Sequence, residues 1–260
     1  MSVLDEILAR KHAEVAGIRA NPGEAALARE AAAAAPARDF LAALRGPGAE
    51  PRVIAEFKRA SPSRGAIRAD AAPDEIARAY AGAGAVALSV LTDRDFFDGC
   101  LEDLRKARAA CALPVLRKDF TLEPIQLLEA RAAGADAALL IVAALEDARL
   151  RELLGCAREL GLAALVEVHT AQELDRALEA GAELVGINNR DLKSFVTDVA
   201  VTRELAPRAA GCCVVSESGL SEAAVLRELG EAGADAFLVG EALMRAPDPG
   251  SALRDLRGVE

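Results

Sequence analysis

Ala83-Gly-Ala-Val-Ala-Leu-Ser-Val90, Ala133-Gly-Ala-Asp-Ala-Ala-Leu-Leu140, Ala180-Gly-Ala-Glu-Leu-Val-Gly-Ile187 and Ala232-Gly-Ala-Asp-Ala-Phe-Leu-Val239 repeat one pattern. Each follows a helix-like stretch and runs through Ala-Gly-Ala into apolar residues. The glycine stands where a helix C-terminus needs a residue that tolerates positive φ, and the apolar run that follows has the length of a buried strand. Consecutive glycines lie roughly 50 residues apart, a spacing that holds two strand–helix units rather than one.

The intervening strands are Val53–Phe57, Pro114–Lys118, Ala163–Val168 and Cys212–Ser216, each a short apolar run. Interleaved with the four repeats they make eight strands, each followed by an amphipathic stretch. Alternating strands and helices imply a parallel sheet, and eight units at this length imply a closed (β/α)8 TIM barrel. An open doubly wound sheet is the alternative, but no glycine-rich dinucleotide fingerprint follows any strand. Before the first strand, Val3–Arg19 places Leu4, Ile7, Leu8, Val15 and Ile18 at helical spacing, and Ala25–Ala35 has high helix propensity. The expectation is a single domain, 1–260. Residues 1–50 form an N-terminal extension of extra helices on one end of the barrel, and the Pro and Gly at 46–51 link it to the first strand.

Hydrophobic residues make up 52% of the 260 residues and aromatic residues only 3%, so Ala, Leu and Val must build the core. A net charge of −10 argues against nucleic acid or an anionic membrane surface as partner, since both reward a basic protein. An anionic substrate would need local positive groups. No apolar run is long enough to span a bilayer. Met1-Ser-Val-Leu-Asp-Glu6 lacks a basic stretch followed by an apolar one, so the expected location is cytoplasmic. The five cysteines show no metal-type spacing and are read as reduced; with two histidines, no metal site is expected.

Active sites of such barrels lie at the C-terminal ends of the strands. Strand one ends Glu56-Phe-Lys58, and residues two apart on a strand share a face. A structural ion pair is one reading of Glu56 and Lys58. Other strands end Leu116-Arg-Lys-Asp-Phe120, Val166-Glu-Val-His169, Gly186-Ile-Asn-Asn-Arg-Asp191, Val215-Ser-Glu-Ser-Gly219 and Phe237-Leu-Val-Gly-Glu241. Polar groups from six strands thus converge on one rim. Ser216-Glu-Ser-Gly219 and Val239-Gly-Glu241 offer small residues and free backbone N–H groups where these barrels often bind phosphate, with Ser61 on the adjoining loop. Lys58 and Lys118 among Glu56, Glu167 and Glu217 can split their pKa values into a protonated donor and an ionised acceptor. That equips the rim for acid–base chemistry, with no metal or organic cofactor implied. A Schiff-base lysine is a further possibility on these residues alone.

The chain resembles the indole-3-glycerol phosphate synthase family. The resemblance rests on Glu56-Phe-Lys-Arg-Ala-Ser-Pro-Ser63, Ser89-Val-Leu-Thr-Asp93 with Phe96-Phe-Asp-Gly99, and Leu116-Arg-Lys-Asp-Phe120. It continues through Leu165-Val-Glu-Val-His169, Gly186-Ile-Asn-Asn-Arg-Asp-Leu192, Ser216-Glu-Ser-Gly219 and Leu238-Val-Gly-Glu-Ala-Leu-Met244. Ile7-Leu-Ala-Arg-Lys11 and Arg38-Asp-Phe40 resemble that family's N-terminal extension. The resemblance implies closure of the indole ring of 1-(2-carboxyphenylamino)-1-deoxyribulose 5-phosphate, with loss of CO₂ and water, in tryptophan biosynthesis. It implies Lys118 as general acid, Lys58 on the substrate carboxylate, and Glu167 and Glu56 in dehydration. Asn188, Glu217 and Ser218 would orient hydroxyls and the aryl amine. Ser61 and Arg190, with backbone groups near Gly219, Gly240 and Glu241, would hold phosphate, and Phe97 and Phe120 would pack on the anthranilate ring. Glu241 stands where some relatives have Ser. The resemblance implies no cofactor, and a monomer is expected, with a pathway partner left open.

Rival readings are phosphoribosylanthranilate isomerase, which would use a Cys/Asp pair, a Schiff-base aldolase, and a non-catalytic barrel. The last predicts decay at the strand ends, which is not what the rim contains.

Overall fold

A computed structural model describes residues 3–45, 50–191 and 194–259; the link expected at 46–51 lies largely outside the described residues. Among these, eight parallel strands close into a barrel: β1 (Val53–Phe57), β2 (Ala87–Leu91), β3 (Val115–Lys118), β4 (Ala137–Ile141), β5 (Ala163–Val168), β6 (Leu184–Asn188), β7 (Cys213–Glu217) and β8 (Ala236–Val239). β8 pairs with β1 in the register Val53↔Phe237, which shuts the ring. Each strand is followed by a helix, from Pro73–Gly82 after β1 to Pro249–Arg257 after β8.

The repeated glycines do what their sequence context demands. Gly84, Gly134, Gly181 and Gly233 have φ of 85°, 91°, 87° and 111°. In the first repeat Gly84 N–H donates to Ala81 O at 3.2 Å and Ala85 N–H to Tyr80 O at 3.0 Å; the other three repeats make the same pair of bonds. This is the Schellman geometry, which satisfies helix-end carbonyls and turns the chain into the next strand. Gly161, with φ of 68°, makes the same two bonds before β5, so one local device sets five of the barrel's helix-to-strand turns.

Alternation along each strand separates two cores. Ile54, Leu116, Leu139, Leu165, Val215 and Leu238 fill the barrel interior. Val53, Val115, Val166, Val185 and Val214 face outward and pack with helix residues such as Leu104, Leu127, Leu153, Leu174 and Leu226. Burying each such side chain contributes roughly 1.5–3 kcal/mol. The interior face is apolar at its base and turns polar at its C-terminal end, where Glu56, Lys118, Glu167, Asn188 and Glu217 follow the last inward apolar residues.

The N-terminal helices are α1 (Val3–Ala20), α2 (Glu24–Ala33) and α3 (Phe40–Leu44). They were expected on one end of the barrel, yet they reach both. At one end, Phe40 and Leu44 of α3 join the interior cluster, and Arg38 N–H donates to Asp136 Oδ1 at 2.7 Å, just before β4. Val15 and Leu27 pack along the side with Ile125. At the catalytic end, Lys11 is 1% exposed and its Nζ lies 2.7 Å from Asp93 and 2.8 Å from Asp119. Asp119 also meets Arg117 at 3.1 Å and accepts from Thr92 Oγ1 at 2.5 Å. A lysine buried this way is tolerable only because acids surround it.

Candidate active site

The polar rim opens into a cavity of about 490 Å³, within the range of small-molecule sites. Every residue singled out from the sequence lines it: Glu56, Lys58, Ser61, Phe97, Lys118, Phe120, Glu167, Asn188, Arg190, Glu217, Ser218, Gly219, Gly240 and Glu241. Val3, Leu4 and Ile7 of α1 add an apolar wall that the strand-end reading did not anticipate.

Two lysines occupy different settings. Lys118 Nζ donates to Glu167 Oε2 at 2.6 Å and to Glu217 Oε2 at 2.7 Å. Burial opposes its charge, but Glu167, Glu217 and Glu56 outweigh that and hold its pKa above the ordinary lysine value. Lys58 Nζ donates to Glu56 Oε1 at 2.7 Å, and Ser89 Oγ donates to Glu56 Oε2 at 3.3 Å. The strand-one pair is real, and it stands in the same cavity as the Lys118 cluster.

The carboxylates diverge. Burial would raise Glu167, yet Lys118 and His169 draw it well below the usual carboxylate range. Asn188 Nδ2 donates to its Oε1 at 3.2 Å. Burial pushes Glu217 up to about 7, with the neighbouring Glu167 charge adding to the rise against the pull of Lys118. One lysine cannot fully neutralise two buried acids, so of the two Glu217 holds a proton to higher pH. His169 was noted only as a strand-end residue. Its Nε2 lies 3.4 Å from Glu167 and its Nδ1 3.2 Å from Glu173. Against the cost of burial, those two acids raise its pKa to about 10. Its signal in the sequence was alternation alone: Glu167 and His169 share a face.

A second corner is built from β7, β8 and the loop after β1. Ser218 and Gly219 have φ of 68° and 75°; for serine the left-handed conformation costs about 1–2 kcal/mol. A Cβ on Gly219 would come within 2.5 Å of Thr197 Cγ2, so both this contact and the positive φ favour glycine here. Arg190 donates to Ser63 Oγ at 2.7 Å, and Ser61 Oγ lies 3.5 Å from Ser63 Oγ. Glu241 opens a short helix, Glu241–Arg245. Its carboxylate meets Arg64 at 3.0 Å, Arg190 at 3.6 Å and Arg245 at 3.7 Å. Three arginines around one carboxylate leave this corner locally positive in a protein of negative net charge. Phe97 and Phe120, with centroids 6.3 Å apart and planes tilted by 38°, form an apolar wall at another side of the cavity.

Among the described residues, no group of three or more His, Cys, Asp or Glu is placed to hold a metal ion. All five cysteines are free thiols. No described helix is long and apolar enough to cross a membrane.

Known proteins resemble this chain in fold and in sequence. A solved 3-hexulose-6-phosphate synthase superposes with a TM-score of 0.63, covering 80% of this chain and 100% of its own, at 18% identity; that likeness shows the fold alone. An indole-3-glycerol phosphate synthase of Albidiferax ferrireducens is 50% identical over 260 residues, covering 98% of this chain and 97% of its own length. Indole-3-glycerol phosphate synthase 2 of Streptomyces coelicolor is 52% identical over 257 residues, covering 98% and 99%. The family model for indole-3-glycerol phosphate synthase matches residues 4–256. On these grounds, the chain belongs to the indole-3-glycerol phosphate synthase family.

Proposed function

We propose that this cavity carries out the family's reaction, ring closure of 1-(2-carboxyphenylamino)-1-deoxyribulose 5-phosphate to indole-3-glycerol phosphate, with Lys118 as the acid. The observation that carries this reading is Lys118 Nζ held 2.6 Å from Glu167 and 2.7 Å from Glu217 in one cavity with an arginine corner and a phenylalanine wall. The phosphate occupies the corner at Ser61, Arg190 and the backbone of Gly219, Gly240 and Glu241. The aryl ring packs on Phe97 and Phe120. This pose stretches the substrate across the lysines.

The ring carbon bearing the carboxylate attacks the substrate carbonyl carbon, and Lys118 delivers a proton to the carbonyl oxygen. Lys58 holds the carboxylate until the C–C bond to it breaks and CO₂ leaves. In dehydration the hydroxyl formed from the carbonyl takes up a proton and departs as water while the adjacent carbon bonded to nitrogen loses a proton, forming the ring C=C bond; Glu167 and Glu56 between them deliver and accept these protons. Asn188, Glu217 and Ser218 orient the hydroxyls and the aryl amine through hydrogen bonds. Preorganised charge supplies the catalysis, as proton delivery and charge stabilisation require.

The chain acts as one domain over 1–260, with α1–α3 as an integral extension. Among the described residues the one large apolar side chain exposed to solvent is Val196, at 64%, which favours a monomer. Its substrate is a phosphorylated anion that does not cross a bilayer unaided, and the free thiols suit a reducing compartment, so the enzyme acts in the cytoplasm. The test is indole-3-glycerol phosphate fluorescence on mixing purified protein with the substrate. Product formation is expected; a folded protein that yields none overturns the assignment.

A further inference from the structure

Two glycines sit on the inward face of the barrel just where the catalytic carboxylates lie. Gly186 of β6 pairs with Glu167 of β5 and with Val215 of β7. A Cβ placed on it would fall 2.2 Å from Oε1 of Glu217, and 3.2 Å from Leu165 Cδ1. Gly240, directly after β8, repeats the arrangement: its Cβ would fall 2.3 Å from Oε1 of Glu56. Neither glycine has a positive φ, so backbone conformation does not call for glycine at either place. A glycine in a strand interior weakens the strand and commonly marks a close approach by another group. Here the approaching groups are the two carboxylates that grip Lys118 and Lys58.

The geometry is directional. Glu217 pairs in register with Asn188, yet its carboxylate leans back over Gly186 to reach Lys118 on the far side of the ring. Any side chain at 186 would occupy that path. We propose that Gly186 and Gly240 are positioning residues, each leaving vacant the inward site over which a neighbouring strand's carboxylate reaches its lysine. A methyl at 186 forces the Glu217 carboxylate to withdraw by roughly 1 Å to reach van der Waals separation. A displacement of that size at a reacting centre lowers turnover about 100-fold. The catalytic part of this inference rests on the roles given above to Lys118 and Glu217; the steric part does not. Gly186 is the cleaner test, because Gly240 also borders the phosphate corner.

The experiment is a mutant cycle in which kcat, KM and urea stability are measured for Gly186→Ala, Glu217→Asp, Glu217→Ala and the two doubles. Gly186→Ala is expected to lower kcat about 100-fold and to move KM less. Glu217→Asp, one methylene shorter, is expected to restore at least about tenfold in the Gly186→Ala background, a non-additive pair. In stability, Gly186→Ala is expected to be far milder when Glu217 is already Ala. If Gly186→Ala alone does not fold, the Gly186→Ala/Glu217→Ala double is expected to fold as Glu217→Ala does. A methyl equally disruptive with and without the carboxylate overturns the steric claim. Coupling in stability with kcat within about threefold of the parent overturns the positioning role, and places the fault in the catalytic reading of Glu217 rather than in the geometry.

Discussion

Lys118 and Glu217 meet 2.7 Å apart although β3 and β7 stand on opposite sides of the eight-stranded ring. The contact spans the barrel mouth and gathers Glu167 from β5 on the way. It ties three strands to one ammonium at the level where the interior turns from apolar to polar. Two lysines among three glutamates leave one negative charge in excess, and burial makes that excess costly. The consequence is that Glu217 gives up its proton at higher pH than an ordinary carboxyl, with its pKa pushed up to about 7.

That proton is measurable as a pH dependence of stability. The folded pKa of Glu217 is about 7 against an ordinary 4.5, so the folded state holds a proton that the unfolded chain has lost. Its contribution favours folding at the acid side of this window and is lost as pH rises from 4.5 through 7. Glu217→Gln removes the titration. Between pH 5 and pH 8, the parent is expected to lose more urea stability than Glu217→Gln; equal losses would contradict the assignment.

His169 titrates in the other direction from a neutral core imidazole. Its folded pKa is raised to about 10 from 6.5, so its stabilising charge is fully present below 6.5 and fades as pH rises through 10. NMR titration is tractable because the chain has two histidines. The His169 ring signals, assigned with His169→Asn, are expected to stay in the charged position at pH 8. A midpoint near 6.5 would remove the charge from beside Glu167.

Lys11 anchors α1 at the catalytic end through Asp93 and Asp119. Lys11→Met takes away the cation that Asp93 pairs with and leaves Asp119 to Arg117, and breaking a buried pair this way costs about 3–5 kcal/mol. Urea unfolding is the check. A loss below about 1 kcal/mol would mean that the contact behaves as a surface pair.

Glu241 places a carboxylate among Arg64, Arg190 and Arg245, where a phosphate is proposed to bind. Relieving one like-charge contact in a solvent-reachable corner changes binding by on the order of 1 kcal/mol. Glu241→Ser is therefore expected to lower KM about fivefold with kcat nearly unchanged. A raised KM would show that Glu241 organises the arginines more than it repels the ligand.

The barrel was legible because its turns are local. Gly84, Gly134, Gly181 and Gly233 each close a helix by bonds within six residues, and that device leaves an imprint on sequence. Glu56, Lys118, Glu167 and Glu217 were legible for a related reason: charged residues at strand ends are anomalous against apolar runs. What escaped notice depends on contacts between distant segments. The grip of Lys11 on Asp119, the wall made by Val3, Leu4 and Ile7, and the room that Gly186 leaves for Glu217 all arise only when the ring has closed. In the sequence Lys11 stands out only as the last residue of Ile7-Leu-Ala-Arg-Lys11, and nothing local pairs it with Asp93 and Asp119.

The most direct test of Lys118 as the acid is steady-state formation of indole-3-glycerol phosphate, followed by fluorescence, for the parent and for Lys118→Ala. Product is expected from the parent, and a fall in kcat of about 100-fold or more in the variant, the scale of losing a general acid, with KM changed far less. A Lys118→Ala enzyme that keeps its kcat and shows only a raised KM would contradict that role, and would make Lys118 a binding residue.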